Sequence, residues 1–201
     1  AAGHPMLREL RETVSNRSFL ALLAVGMLMA TANGARLALE LYFGLYFWAL
    51  SQAQLSGLLL AGLTGILSGA ILARWLSGLI GKRRLVAWAL LGGITGNVGP
   101  VLLRLLGLMP ENGSGLLYSI LFVDVLVTFC LATMTSIMIT SMMNDVVEDV
   151  EVTTGRRSEG VLMAADSLFR KMVASVGIFV SGITLTLIEF PRQAARGSVP
   201  P

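Results

Sequence analysis

The sequence predicts an all-α membrane protein, a bundle of five transmembrane helices, and three observations support this fold class. Hydrophobic residues make up 55% of the 201-residue chain, charged residues make up only 13%, and the mean hydropathy is +0.77. A soluble domain carries about 25% charged residues. The apolar residues form five stretches that each reach the roughly 20 residues a helix needs to cross about 30 Å of hydrocarbon. None of them shows the two-residue alternation of a membrane β-strand, so helices are expected to satisfy the backbone within lipid.

The five predicted spans follow one another through polar connections. In chain order they cover residues 19–50, 55–80, 85–109, 115–143 and 159–188. Three connections are short: Ser51–Gln54, the basic turn Gly81–Arg84, and Pro110–Ser114, whose turn-forming residues end a helix. A longer charged segment, Asn144–Ser158, precedes the last span. The polar ends, residues 1–18 and 189–201, lie outside the predicted bundle.

Lysine and arginine residues predict the orientation of the bundle. One side of the predicted membrane carries only Arg192 and Arg196, and the other carries Arg8, Arg11, Arg17, Lys82, Arg83, Arg84, Arg156 and Arg157. Positively charged residues accumulate on the cytoplasmic side of membrane proteins. We therefore expect a multi-pass protein of the cytoplasmic membrane with a cytoplasmic N-terminal arm.

The composition also argues against several classes of function. The chain contains one cysteine, Cys130, and one histidine, His4, which leaves little material for a disulfide scaffold, a Cys- or His-rich metal site or a Ser-His-Asp triad. The basic residues are scattered along the membrane boundary with no aromatic platform beside them, which argues against nucleic-acid binding. We expect no catalytic residues, no metal site and no enzymatic activity.

Ionisable residues inside the spans are the most informative positions. Each costs about 2.5–3.5 kcal/mol near the bilayer centre, so the helix must turn it toward protein or water. Arg36 and Glu40 lie four residues apart on one helix face and could form a local ion pair. Asp124 lies deep in the fourth span, where structural pairing and function are both open. Arg104 is close to the predicted outer boundary, where its side chain can snorkel.

The fifth span contains the strongest candidate. Asp166 shares a helix face with Arg170 and can be neutralised by it, whereas Lys171 lies about 140° around the helix from Asp166. Lys171 is near mid-membrane, so we expect an aqueous cavity or a carboxylate from another helix beside its ammonium group. In the preceding charged segment, Asp145, Glu148 and Glu151 recur every three residues, so we expect them to line one side of a short helical turn. They are either solvated or part of a latch of weak ion pairs.

The charged segment and the start of the fifth span resemble a known family. The stretch MNDVVEDVEVTTGRRSEG at residues 143–160, followed by Phe169-Arg170-Lys171, resembles the loop between helices ten and eleven of the glycoside-pentoside-hexuronide:cation symporters. These form the melibiose-permease branch of the major facilitator superfamily. Their pattern is A-D-x-x-D-Y-x-E, then T-G-x-R-x-E-G, then a lysine twelve residues after the last glutamate. This chain departs from the pattern at Asn144, Glu148 and Asp149.

The resemblance implies an architecture and roles for individual residues. The spans would be helices seven to eleven of twelve, residues 1–18 the cytoplasmic inter-domain linker, and residues 189–201 the outer loop before a missing last helix. The cytoplasmic gate would consist of Asp145, Glu148, Glu151, Arg157 and Glu159. Lys171 would face the central cavity. The candidates for substrate or cation coupling are the ionisable residues of the spans, Lys171, Asp124, Asp166, Arg36 and Glu40.

The function that follows is cation-coupled symport of a sugar or glycoside across the cytoplasmic membrane by alternating access. The coupling cation, Na⁺ or H⁺, would be bound mainly by the absent N-terminal half, and no other cofactor is expected. The expected partners are membrane lipid, a small polar solute and that N-terminal half-domain. The alternatives are a non-transporting membrane scaffold or assembly partner, and a carrier of another solute such as a lysolipid.

Overall fold

The described part of the chain is almost entirely helical. The computed structural model describes residues 17–154 and 159–187, of which 91% are helical and none forms a strand. In chain order the elements are α1 (Arg17–Tyr42), a π-helical turn (Phe43–Phe47), α2 (Gln52–Ile80), α3 (Lys82–Leu105), α4 (Gly115–Thr154) and α5 (Glu159–Leu187). The predicted all-α class is confirmed. Arg157, the arm before residue 17 and the tail at 189–201 lie outside the described residues.

Within the described residues, three stretches are long and apolar enough to cross a membrane. They are Gln52–Ile80, Lys82–Leu105 and Gly115–Val146, while the apolar part of α5, Lys171–Leu187, is shorter. Their side chains are largely exposed outside the helix contacts, as shown by Leu59 at 67% and Ile71 at 73%. Exposed apolar helices of this length are typical of an integral membrane protein.

The chain divides into two compact units, and the first combines α1 with α5 and the end of α4. Its described residues are 17–40, 139–154 and 159–187. Helices α1 and α5 approach at small residues: a Cβ on Gly34 would collide with the carbonyl oxygen of Ala174, and one on Gly177 would collide with that of Thr31. Ser181, 3% exposed, donates a hydrogen bond to Ala35 O at 3.4 Å. Small residues thus bring the two backbones into contact.

The second unit contains the π-helical turn, α2, α3 and α4 as far as Met138. On α2 the buried positions are the small residues Ala61, Gly62, Gly65, Gly69 and Ala73. A Cβ on Gly69 would lie 2.5 Å from Cys130 O and 3.0 Å from the Thr133 Cβ. The small residues that recur along the second span therefore form the contact of α2 with α4.

Two apolar clusters fill the interior of the second unit. One contains Ala73, Leu85, Cys130, Met134 and Met138. The other contains Trp48, Leu50, Leu117 and Leu121. The Trp48 ring is only 7% exposed and meets the Phe47 ring edge-on at 4.7 Å. Trp48 is thus a packing residue of the second of these clusters, although its position near a predicted span end is typical of an interfacial tryptophan.

The ends of the helices differ from the predicted connections at several places. The break between α2 and α3 is Gly81 alone, with φ 82°, so Lys82, Arg83 and Arg84 form the first turn of α3 instead of a basic loop. Helix α4 does not end near Met143 but continues through Thr154, so most of the predicted charged loop is helical. No proline interrupts that segment, and one glycine, Gly155, follows it directly.

The helix before the third connection ends earlier than the predicted span. Helix α3 ends at Leu105, four residues before Met109, and Gly107 follows with φ 70°. The Leu108 N–H bonds to Leu103 O at 2.9 Å and the Gly107 N–H bonds to Arg104 O at 3.0 Å. This pair of bonds is the Schellman motif, which satisfies the last carbonyls of a helix and needs a left-handed residue such as glycine.

Candidate functional site

Lys171 lies on an exposed polar stripe of α5. At 100° per residue, the exposed positions Ser167, Lys171, Ser175, Gly182 and Thr186 fall within about 100° of arc. Two of the hydroxyls donate back to their own helix, Ser175 to Lys171 O at 3.0 Å and Thr186 to Gly182 O at 2.9 Å. The stripe therefore presents a primary ammonium group among hydroxyls and small side chains, with the apolar Ile178 (49% exposed) and Leu168 (59% exposed) on the same arc.

The rest of the α5 surface divides into an exposed apolar arc and an arc that contacts α1. A second exposed arc is apolar, with Met172 at 57%, Phe179 at 69% and Ile183 at 44% exposure. The residues that contact α1, Ala174, Gly177 and Ser181, occupy a third arc. A membrane helix with distinct protein, apolar and polar arcs can face a neighbouring helix, lipid and an aqueous path at the same time.

The other ionisable candidates of the first unit lie on α1 and α5. Arg36 and Glu40 are one turn apart on α1, and both are half-buried. Asp166 falls within the helical bounds of α5, but its side chain lies outside the described residues. Among the described side chains, the structure therefore places the predicted pair Arg36 and Glu40 one turn apart on α1.

Asp124 lies in the second unit, at the contact of α3 with α4. It is half-buried, and a Cβ on Gly96 would lie 3.3 Å from Asp124 Oδ1 and 2.5 Å from Thr128 Oγ1. One turn earlier on α3, a Cβ on Gly92 would lie 2.8 Å from a methyl group of Leu131. The glycine pair at four-residue spacing thus admits side chains of α4 to the backbone of α3, an apolar one at Gly92 and two polar ones at Gly96.

Thr128 is a polar residue that the sequence reading did not single out. It is 3% exposed, and its Oγ1 is buried without a hydrogen-bond partner within the described part of the chain. A threonine within an apolar helix is usually satisfied by the carbonyl four residues earlier, and Thr135 shows that arrangement with Leu131 O at 2.9 Å. Only the three-dimensional contact with Gly96 distinguishes Thr128.

The predicted gate residues lie at the end of α4 and the start of α5. Asp145 and Glu148 are exposed on the helical extension, as is Asp149. Glu151 and Glu159 fall within α4 and α5 by their backbone, but their side chains lie outside the described residues, as does all of Arg157. The carboxylates of Asp145 and Glu148 are therefore carried by a helix rather than by a loop.

Arg104 has defined partners at the C-terminal end of α3. Its Nη1 donates to Pro110 O at 2.7 Å and its Nη2 donates to Asn112 Oδ1 at 2.9 Å. Asn112 Nδ2 donates in turn to Phe47 O at 3.1 Å, at the end of the π-helical turn. Arg104 thus closes a polar clasp, which we define as Arg104, Pro110, Asn112 and Phe47, at the connection between α3 and α4.

Comparison with known proteins gives one match. The family model described as MFS/sugar transport protein matches residues 2–201, which is nearly the whole chain. No curated protein and no solved structure matches the chain significantly.

Proposed function

This chain belongs to the MFS/sugar transport protein family, a family of integral membrane transporters of the major facilitator type, and from that membership we propose that it forms part of a cation-coupled sugar symporter. The solute is a sugar or glycoside, and the carrier works by alternating access across the cytoplasmic membrane. In such carriers, two halves rock around a site near the bilayer midplane. The five helices of this chain supply helices seven to eleven of the C-terminal half, which works together with an N-terminal half-domain.

The single observation that carries this proposal is the polar stripe of α5 with Lys171 in it. A sugar presents hydroxyl groups that accept and donate hydrogen bonds, and an ammonium group supplies three donors. Ser167, Ser175 and Thr186 add further polar groups along the same arc. A stripe of this composition is costly against lipid and favourable along a water-filled solute path.

The charged end of α4 is the proposed cytoplasmic gate. Exposed ion pairs contribute about 0.2–1 kcal/mol each, so a gate built from several of them closes the cavity and still opens readily. Asp145 and Glu148 are exposed, so a cationic group on the other half of the carrier can approach their carboxylates. Differential pairing in the two states then sets their relative populations.

Solute uptake by the full-length protein in proteoliposomes tests the function. Sodium and proton gradients are imposed separately, and radiolabelled glycosides and a labelled lysolipid are compared as solutes. We expect uptake of a glycoside that depends on one of the two gradients. Uptake of the lysolipid alone would reassign the solute, and no uptake of any solute would favour a scaffold.

A substitution of Lys171 tests the role of the stripe. We expect Lys171→Gln to reduce gradient-driven uptake by about tenfold or more, because the change removes a charged hydrogen-bond donor worth roughly 1.4 kcal/mol or more. Lys82→Gln is the matched control, since it removes the same group from the first turn of α3. Equal uptake by the two variants at equal expression would contradict the proposal.

A further inference from the structure

Two polar side chains of α4 converge on one glycine of α3. Thr128 Oγ1 and Asp124 Oδ1 both lie within 3.3 Å of the point where a Gly96 Cβ would stand. All three residues belong to the second unit, in helices that are apolar enough to cross the membrane. A carboxylate and a hydroxyl therefore face the backbone of the neighbouring helix within the membrane part of the protein.

The Thr128 hydroxyl is oriented toward this point instead of toward its own helix. Thr31, Thr95 and Thr135 each donate to the carbonyl four residues earlier, at 3.0, 2.8 and 2.9 Å. Thr128 Oγ1 has no hydrogen-bond partner within the described residues, although the residue is only 3% exposed. A buried polar atom without a partner costs about 1–3 kcal/mol, so its orientation needs a compensating interaction.

The carbonyl oxygen of the same glycine lacks its helical N–H donor because of a proline. Pro100 lies inside α3, and proline has no N–H group to donate to the carbonyl four residues earlier. That carbonyl belongs to Gly96, the residue that Asp124 and Thr128 face. Backbone carbonyls released from helical hydrogen bonding within membrane helices commonly coordinate sodium ions or protons in transporters.

We infer that the Asp124 carboxylate, the Thr128 hydroxyl and the Gly96 carbonyl bind a sodium ion between α3 and α4. A hard cation prefers oxygen ligands, and these three residues supply three of different kinds. One carboxylate balances one positive charge, whereas a divalent ion would leave a net charge within the membrane. A proton on Asp124 could be shared with the Thr128 hydroxyl, but it would give the Gly96 carbonyl no role.

The site adds to the proposed function a cation that is bound by this chain itself. Its assignment as the coupling ion rests on that proposed function, but the binding of sodium does not. An equilibrium binding experiment without solute or gradient therefore tests the site independently of transport. The two proposals can fail separately, because uptake tests one of them and binding tests the other.

Binding of ²²Na⁺ to the full-length protein in detergent tests the inference. We expect Asp124→Asn to reduce the number of sodium ions bound per polypeptide by one. Thr128→Val and Pro100→Ala are expected to weaken that site by about tenfold each, since Val removes a ligand and Ala returns a donor to the Gly96 carbonyl. Sodium should also raise the Tm of the wild-type protein, and Thr128→Val should reduce this shift.

Two further variants keep the experiment decisive. Thr135→Val is the matched control, because Thr135 is 1% exposed on the same helix and bonds to its own backbone. It should bind sodium within about twofold of the wild type. Thr128→Ser keeps the hydroxyl and should retain affinity within about threefold, which separates loss of a ligand from misfolding. Unchanged sodium binding in Thr128→Val would overturn the inference. The same holds if Asp124→Asn alters proton binding but leaves the number of bound sodium ions unchanged.

Discussion

At the residue scale, the polar clasp shows how one asparagine joins elements that are distant in sequence. Asn112 accepts from Arg104 and donates to Phe47 O, 65 residues away. Phe47 ends the π-helical turn, so its carbonyl has no helical donor of its own. The asparagine therefore satisfies a helix end and, through Arg104, holds the connection between α3 and α4 against it.

We predict that Asn112→Ala lowers the free energy of unfolding by about 1–2 kcal/mol, because it removes both of these hydrogen bonds. Thermal unfolding of the protein in detergent measures the effect as a lower Tm. Asn97→Ala is the matched control: Asn97 is also exposed, but it bonds only to Gly93 O of its own helix, at 2.7 Å. Its expected effect is within about 0.5 kcal/mol. Equal losses would mean that the clasp has no special role.

Single residues were predictable from the sequence where their charge alone was informative. Asp124 could be singled out because a carboxylate deep in an apolar span needs an explanation. Thr128 could not, since a threonine in a helix usually satisfies its hydroxyl locally. Its distinction depends on the approach of Gly96 and on the rotamer of its own side chain, which no sequence pattern encodes.

At the element scale, glycines determine how closely α2 and α4 approach. A Cβ on Gly65 would lie 3.0 Å from the Phe129 Cβ and would collide with Leu126 O, whereas a Cβ on Gly78 of the same helix would meet nothing within 4 Å. Backbone atoms cannot move aside as a flexible side chain can. The position of each glycine, not its number, therefore decides the effect of a substitution.

Gly65→Ala is accordingly predicted to destabilise the protein by about 1–3 kcal/mol through overpacking. Gly78→Ala should leave stability unchanged or raise it by up to about 1 kcal/mol, because alanine has the higher helix propensity. Thermal unfolding in detergent at equal protein concentration compares the two variants. A larger loss for Gly78→Ala would be incompatible with the observed contact.

Helix existence was more predictable than helix ends. The apolar stretches identified α2, α3 and the first part of α4, because length and hydropathy determine a membrane helix. The extension of α4 through Thr154 is longer than the short helical turn expected there, since its charged residues resemble a loop by composition. The first turn of α3 was missed for the same reason: Lys82–Arg84 continue a helix in spite of an unfavourable interaction with its dipole.

At the scale of the whole molecule, the orientation in the membrane is the property that remains to be measured. The excess of lysine and arginine predicts a cytoplasmic connection between α2 and α3 and an outer connection between α3 and α4. Arg83 and Glu111 are exposed in these two places. The single native cysteine, Cys130, is 8% exposed, so replacing it provides a clean background.

Labelling of introduced cysteines in intact cells measures the orientation. In a Cys130→Ser background of the full-length protein, we expect Glu111→Cys to react with a membrane-impermeant maleimide from outside. Arg83→Cys should react only after the cells are permeabilised. The reverse pattern would invert the bundle and move the charged end of α4 to the outer side.

The length of α4 has a geometric consequence for the surface of the protein. Forty residues at a rise of 1.5 Å extend for about 60 Å, twice the roughly 30 Å thickness of the hydrocarbon core of a bilayer. Even a tilt of about 40° from the bilayer normal leaves about 20 Å of the helix length outside the hydrocarbon layer. The backbone amides of this protruding part should exchange slowly with deuterium because they are hydrogen-bonded within the helix, although water surrounds them. Its exposed surface also forms an epitope that an antibody fragment can bind.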